Sequence, residues 1–136
     1  MRLRSLLSAA WILGGAGLLT LAFAASHGTA GAAPSDVARG QYLVVNAGQC
    51  SDCHGEGLKG APLMFSPKGL PPGVPFQDAA PNITGLTMFA DDAQAVTFLT
   101  TGVLPNGQHA RPPMPQYRFN AADAQAIVAY LRSLKT

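Results

Sequence analysis

The sequence is poor in charge: charged residues make up 12% of its 136 residues, against 48% hydrophobic ones. It holds only two cysteines, one tryptophan and no stretch of apolar/polar alternation long enough to mark a useful strand. The missing alternation points away from sheet architectures and from any βαβ unit. No cluster of Lys and Arg accompanies an aromatic platform, which excludes a nucleic-acid binder. From Ala33 onward seven basic residues (Arg39, Lys59, Lys68, Arg111, Arg118, Arg132, Lys135) face seven acidic ones, so the net +2 belongs to Arg2 and Arg4. A neutral body implies no highly charged docking partner. The cysteines, Cys50 and Cys53, lie so close that a disulfide between them would stabilise little, because loop-closure entropy grows with loop length.

The hydrophobic excess is concentrated at the start. Arg2 and Arg4 precede Leu6 to Ala25, twenty residues without a charge, and small-residue sites follow at Ala22-Phe23-Ala24 and Ala30-Gly31-Ala32. A basic start, an apolar stretch and an A-x-A site make an export signal. The stretch also has the length of a single membrane span. Residues 1–33 are therefore read as a signal peptide or a membrane anchor through residues 6–25, plus a spacer. Both readings carry the remaining domain, residues 34–136, across the membrane.

Three helices are expected in that domain. The first covers Asp36 to Ala47, with Ser35 as cap, Asp36 complementing the dipole, and Gly48 as the stop. Val37, Gln41, Val44 and Val45 lie on its neighbouring turns. The second begins at Asp91, with Gln94 as capping-box partner and Gly102 as its end; Ala93, Val96, Phe98 and Leu99 are its apolar positions. The third is capped by Asn120 and repeats Ala124, Ile127, Val128 and Leu131 at i, i+3, i+4 and i+7. Between the first two, Glu56 to Gly85 is too rich in glycine and proline for long helices or strands. A second irregular segment runs from Val103 to Phe119. The reading is an all-α domain with long loops. Irregular stretches of this length are unusual in a compact domain, and they make sense wrapped around a large prosthetic group.

One motif carries chemistry. Cys50-Ser51-Asp52-Cys53-His54 is C-x-x-C-H, the attachment signature of c-type haem. Each thiol adds to one vinyl group of the macrocycle, and the adjacent histidine is held beneath it where a ring nitrogen binds iron. A redox dithiol would want a βαβ context, and a zinc site would want a second pair of ligands; neither is found in the sequence.

The second axial position of such an iron is commonly filled by methionine. The candidates are Met64, Met88, Met114 and His109. Met64 is only ten residues past His54, too direct a path to the opposite face, and Met88 reads as core. Met114 lies sixty residues past His54 in Arg111-Pro112-Pro113-Met114-Pro115, where prolines on both sides stiffen the chain. Met114 is the favoured ligand.

With these residues in hand the chain resembles the class I cytochrome c family, and more closely the monohaem cytochromes and cytochrome subunits of bacterial periplasmic dehydrogenases. The resemblance rests on Arg39-Gly40-Gln41-Tyr42-Leu43, Cys50 to His54, Pro81-Asn82-Ile83-Thr84, Met114-Pro115-Gln116-Tyr117 and Ala126 to Arg132. It implies a cytochrome c-like fold, with three main helices and long loops wrapping one covalently attached haem c. It also implies that the first and last helices cross at Gly40, close to Tyr130 and Leu131. Where those relatives often carry a tryptophan before the middle helix, this chain has Phe89. The expected role is single-electron transfer by iron held between His54 and Met114, in the periplasm. A donor and an acceptor would serve it: a dehydrogenase, an oxidase or another cytochrome. Two other roles stay open at this stage: a stably bound subunit of a membrane complex, and a haem sensor or peroxidase-like enzyme. Neither axial ligand would be a catalytic residue in the leading case.

Overall fold

The computed structural model describes residues 34–64 and 71–136. The leader, residues 1–33, and the Ser35 side chain lie outside the described residues. Among the described residues no helix is long and apolar enough to cross a membrane.

Four α-helices organise the described residues: α1 (Pro34–Tyr42), α2 (Ser51–His54), α3 (Asp92–Thr101) and α4 (Ala121–Ser133). Helix α1 already includes Pro34, ahead of the expected Ser35 cap; proline suits a first turn, where its missing N–H has no partner to lose. The first helix does not stay α-helical to Ala47. Leu43–Ala47 widens into a π turn that closes with Gly48 N–H donating to the Leu43 carbonyl at 2.7 Å. That widening buries Leu43 and Val44 while Gln41 and Val45 face water, so the inward set differs from the expected one. In α3 the inward residue is Ala95 rather than Ala93. Its ends match expectation: Asp91 Oδ1 accepts from Gln94 N–H at 2.8 Å, and Gly102 is left-handed at φ 73°. Gln94 Oε1 returns to the Ala90 N–H at 3.2 Å, one residue before the cap. Helix α4 follows the sequence pattern, with Ala124, Ile127, Val128 and Leu131 all buried and Asn120 Oδ1 capping the Asp123 N–H at 2.9 Å.

The irregular stretch after α2 contains a short antiparallel ladder the sequence did not announce. Strand β1 (Ala61–Pro62) pairs with β2 (Ala79–Ala80), Ala61 opposite Ala80. Two residues per strand are too few for alternation to register.

Helices α1 and α4 cross at Gly40. A Cβ there would come within 2.6 Å of the Ala126 carbonyl carbon and 2.7 Å of Tyr130 Cβ, so only glycine permits the approach. Arg39 and Asp123 form an ion pair across the crossing, with Nε 2.7 Å from Oδ1. Arg132 ties α4 to the start of α3 through Asp92 at 2.8 Å, and donates to the Gly85 carbonyl at 2.6 Å. The buried set joins Leu43, Val44, Leu58, Leu86, Phe89 and the inner face of α4. Phe89 packs against Phe98 with ring centroids 5.6 Å apart.

Gly40→Ala should therefore overpack the crossing. Guanidinium unfolding of the haem-loaded protein should show a loss of at least about 1–3 kcal/mol, the usual range for a forced methyl group in a tight contact. An unchanged midpoint would mean that the helices slide apart without cost.

Candidate functional site

Helix α2 is a single turn, and its spacing does the positioning. Cys50, Cys53 and His54 stand at i, i+3 and i+4, so both thiols and the imidazole fall on one side of the turn. The turn closes through His54 N–H to the Cys50 carbonyl at 2.8 Å, and Gly55 at φ 74° ends it. The two cysteines form no disulfide with each other. Burial pushes the Cys50 thiol above its ordinary value, partly offset by its backbone hydrogen bond, with Cys53 and Asp52 adding to the rise. An attacking cysteine of a redox dithiol needs the opposite shift.

His54 is 95% buried and its Nδ1 lies 2.7 Å from the Pro81 carbonyl oxygen. A carbonyl only accepts, so the neutral ring carries its proton on Nδ1 and leaves Nε2 with a bare lone pair. Nε2 takes no hydrogen bond among the described residues. This is the arrangement expected of a metal-ligating histidine, whose other nitrogen is fixed by a carbonyl or carboxylate. Pro81 is itself held in place. Asn82 Oδ1 accepts from both the N–H and the hydroxyl of Thr84 at 2.8 Å, and Ile83 N–H donates to the Leu58 carbonyl at 3.0 Å. Non-glycine residues with left-handed backbone flank the site: Gln49, Leu58 and Leu86. Such residues persist where the surrounding structure over-determines them.

The two thiols and His54 line one cavity of about 560 Å³. Its walls are mostly apolar, including Leu43, Phe98, Leu99, Ile127 and Leu131. Met114 lines it too, half-buried. The prolines are not its only brace. Met114 N–H closes a turn on the Arg111 carbonyl at 3.1 Å, Gln77 N–H donates to the Pro112 carbonyl at 2.8 Å, and Tyr117 Oη donates to the Gly48 carbonyl at 3.2 Å. The last bond fastens the Met114 segment directly to the chain ahead of Cys50. Burial, with the Cys50 and Cys53 thiols beside it, raises the Tyr117 hydroxyl above its ordinary value, so it stays a donor.

Of the other candidates, Met64 alone lies off the cavity, and it is 96% exposed. Met88 is not core: it is 44% exposed and lines the cavity, while Phe89 beside it is buried. His109 also lines the cavity, with Nδ1 2.9 Å from the Gly102 carbonyl. In the sequence Pro81 to Thr84 stands out only as a family likeness, and the task of the Pro81 carbonyl is not visible there. The Asn-x-Thr turn after a proline was the available signal, since Asn side chains bond the backbone two residues on.

The family model for cytochrome c matches residues 37–135. The chain belongs to the cytochrome c family. No curated protein matches it. Family membership implies covalently bound haem c with its iron, and the cytochrome fits that group on its own geometry. Two unpaired thiols at the right spacing, one bare imidazole nitrogen and an apolar cavity of cofactor size converge at one place. Cys50 and Cys53 would hold the macrocycle and His54 would bind iron.

Haem should therefore stay on the denatured polypeptide of this cytochrome through acidified organic extraction. Cys50→Ala with Cys53→Ala should release it, read by the absorbance of the organic phase. Free thiols titrating in the holoprotein would contradict the assignment.

Proposed function

We propose that this cytochrome is a single-electron carrier whose one haem iron is held by His54 and Met114, exported to the periplasm and oxidised and reduced by other redox proteins. A dehydrogenase, an oxidase or another cytochrome would serve as donor and acceptor. The observation that carries the reading is that His54 and Met114 line the same apolar cavity and issue from segments held by hydrogen bonds to each other and to the rest of the fold. The bound iron supplies a one-electron couple.

The chain's own residues decide how that couple behaves. His54 presents Nε2 and is kept from rotating by Pro81. Met114 presents a thioether from a turn fixed at Arg111, Pro112 and Tyr117, so neither ligand has to move when the charge changes. With both His54 and Met114 holding the iron, no site would be left open for a substrate, which separates a carrier from a sensor or a peroxidase-like enzyme. Methionine as partner to histidine and a dry, apolar wall raise the potential by disfavouring the more highly charged oxidised iron. With a neutral domain, docking relies on the apolar rim as much as on charge, in a small transient contact. The leader supports export, whether it is removed or kept as a tether through residues 6–25.

Met114→Ala tests the ligand assignment. It should lower the midpoint potential and let the reduced protein bind carbon monoxide at neutral pH. Met64→Leu and Met88→Leu should leave both properties as they are, since near-isosteric swaps cost less than about 1.5 kcal/mol. A Met114→Ala protein that keeps its potential and refuses carbon monoxide would overturn the assignment.

A further inference from the structure

Among the described residues, three hydrogen bonds leave residues 111–119 for another part of the fold. Gln77 N–H donates to the Pro112 carbonyl at 2.8 Å, Phe119 N–H to the Leu99 carbonyl at 3.1 Å, and Tyr117 Oη to the Gly48 carbonyl at 3.2 Å. The first two are backbone bonds near the two ends of the segment. Tyr117 makes the only one that lies between Met114 and Phe119, and the only one donated by a side chain. It is also the longest of the three, beyond the usual O–H···O range. A side chain lets go by turning about its own torsions, while the backbone bonds on either side stay made. The Tyr117 ring stays close when it does, because it stacks on Phe119 with centroids 5.0 Å apart and planes 23° from parallel.

The acceptor is a fixed point. Gly48 N–H closes the π turn on the Leu43 carbonyl at 2.7 Å, and Cys50 N–H donates to the Val44 carbonyl at 2.9 Å. A Cβ on Gly48 would come within 2.9 Å of the Leu43 carbonyl oxygen and 3.3 Å of Cys50 Sγ, so the turn is closed tightly on itself. The Tyr117 bond therefore ties the Met114 segment, across 69 residues, to the chain that leads into the attachment cysteines.

We propose that the Tyr117–Gly48 bond is a latch that sets how often Met114 lets go of the iron, and so how readily a small neutral ligand takes its place. The proposal rests on the reading that His54 and Met114 hold the iron. With the latch open, Met114 sits on a stretch held only at Pro112 and Phe119, while His54 keeps its own bond to Pro81. Tyr117 is thus a positioning residue, acting through the Met114 segment.

The test is displacement of Met114 by imidazole in the purified, oxidised holoprotein, followed by stopped flow at the weak far-red band of a thioether on ferric haem. At saturating imidazole the rate reaches a plateau set by Met114 release. Tyr117→Phe removes the hydroxyl and keeps the stacked ring. It should retain the band at rest and raise the plateau rate about two- to tenfold, the factor to which the net contribution of one hydrogen bond converts. Arg39→Gln breaks the ion pair with Asp123 at the α1–α4 crossing and should keep the wild-type plateau. Equal plateaus for Tyr117→Phe and wild type would overturn the latch and leave the ligand reading standing, since the band reports the ligand by itself. An Arg39→Gln plateau raised as far as that of Tyr117→Phe would also overturn it, by making the effect one of general stability. A wild-type protein without the band would overturn the ligand reading, and the latch with it.

Discussion

The hydrogen bond between His54 Nδ1 and the Pro81 carbonyl spans 27 residues of chain and decides which ring nitrogen faces the cavity. Much of the irregular stretch between them is built to hold that carbonyl still. The chain leaves α2 at Gly55, pairs Ala61 with Ala80, and turns at Asn82 over the buried Thr84. Leu58 contributes twice, as a buried side chain and as the acceptor for Ile83. A loop with so many internal obligations is a mounting for one acceptor atom, and its glycines and prolines supply turns that helices and strands cannot.

The helices work on the other side of the same problem. Gly40 lets α1 and α4 approach to backbone contact, which fixes the frame on which α3 and the cavity wall rest. The inner faces of α3 and α4 then divide their apolar residues between two partners. Ala95, Ile127 and Leu131 are buried in the protein and also border the cavity. Covalent attachment in such a domain serves folding as well as function. A bound macrocycle would complete an apolar centre that a chain of this size fills poorly alone, and thioethers would keep it from being lost.

What could be read from the sequence was what repeats or caps. The α4 pattern, the Asn120 and Asp91 caps and the Gly102 stop all depend on neighbours in the chain, and they are found where the pattern put them. The π turn at Leu43–Ala47 is not legible, because no helix-forming pattern announces the bonds that close it, from Gly48 N–H to the Leu43 carbonyl and from Cys50 N–H to the Val44 carbonyl. Its consequence, Leu43 inward and Val45 outward, was missed for the same reason. Met88 and Phe89 are adjacent apolar residues, and nothing local in the sequence says that Phe89 is the one buried. Met114 was singled out on spacing and prolines. The bonds that brace it, from Gln77 and Tyr117, are long-range and invisible to any local pattern.

The claim at the centre is that a thioether and an imidazole share one iron in the cavity between α2 and the Arg111–Met114 turn. The most direct measurement is the far-red absorbance of the wild-type oxidised protein. Ligation by His54 and Met114 requires the weak charge-transfer band of a thioether on ferric haem. A spectrum without that band, showing the signature of two histidines instead, would contradict it and move the second ligand to His109.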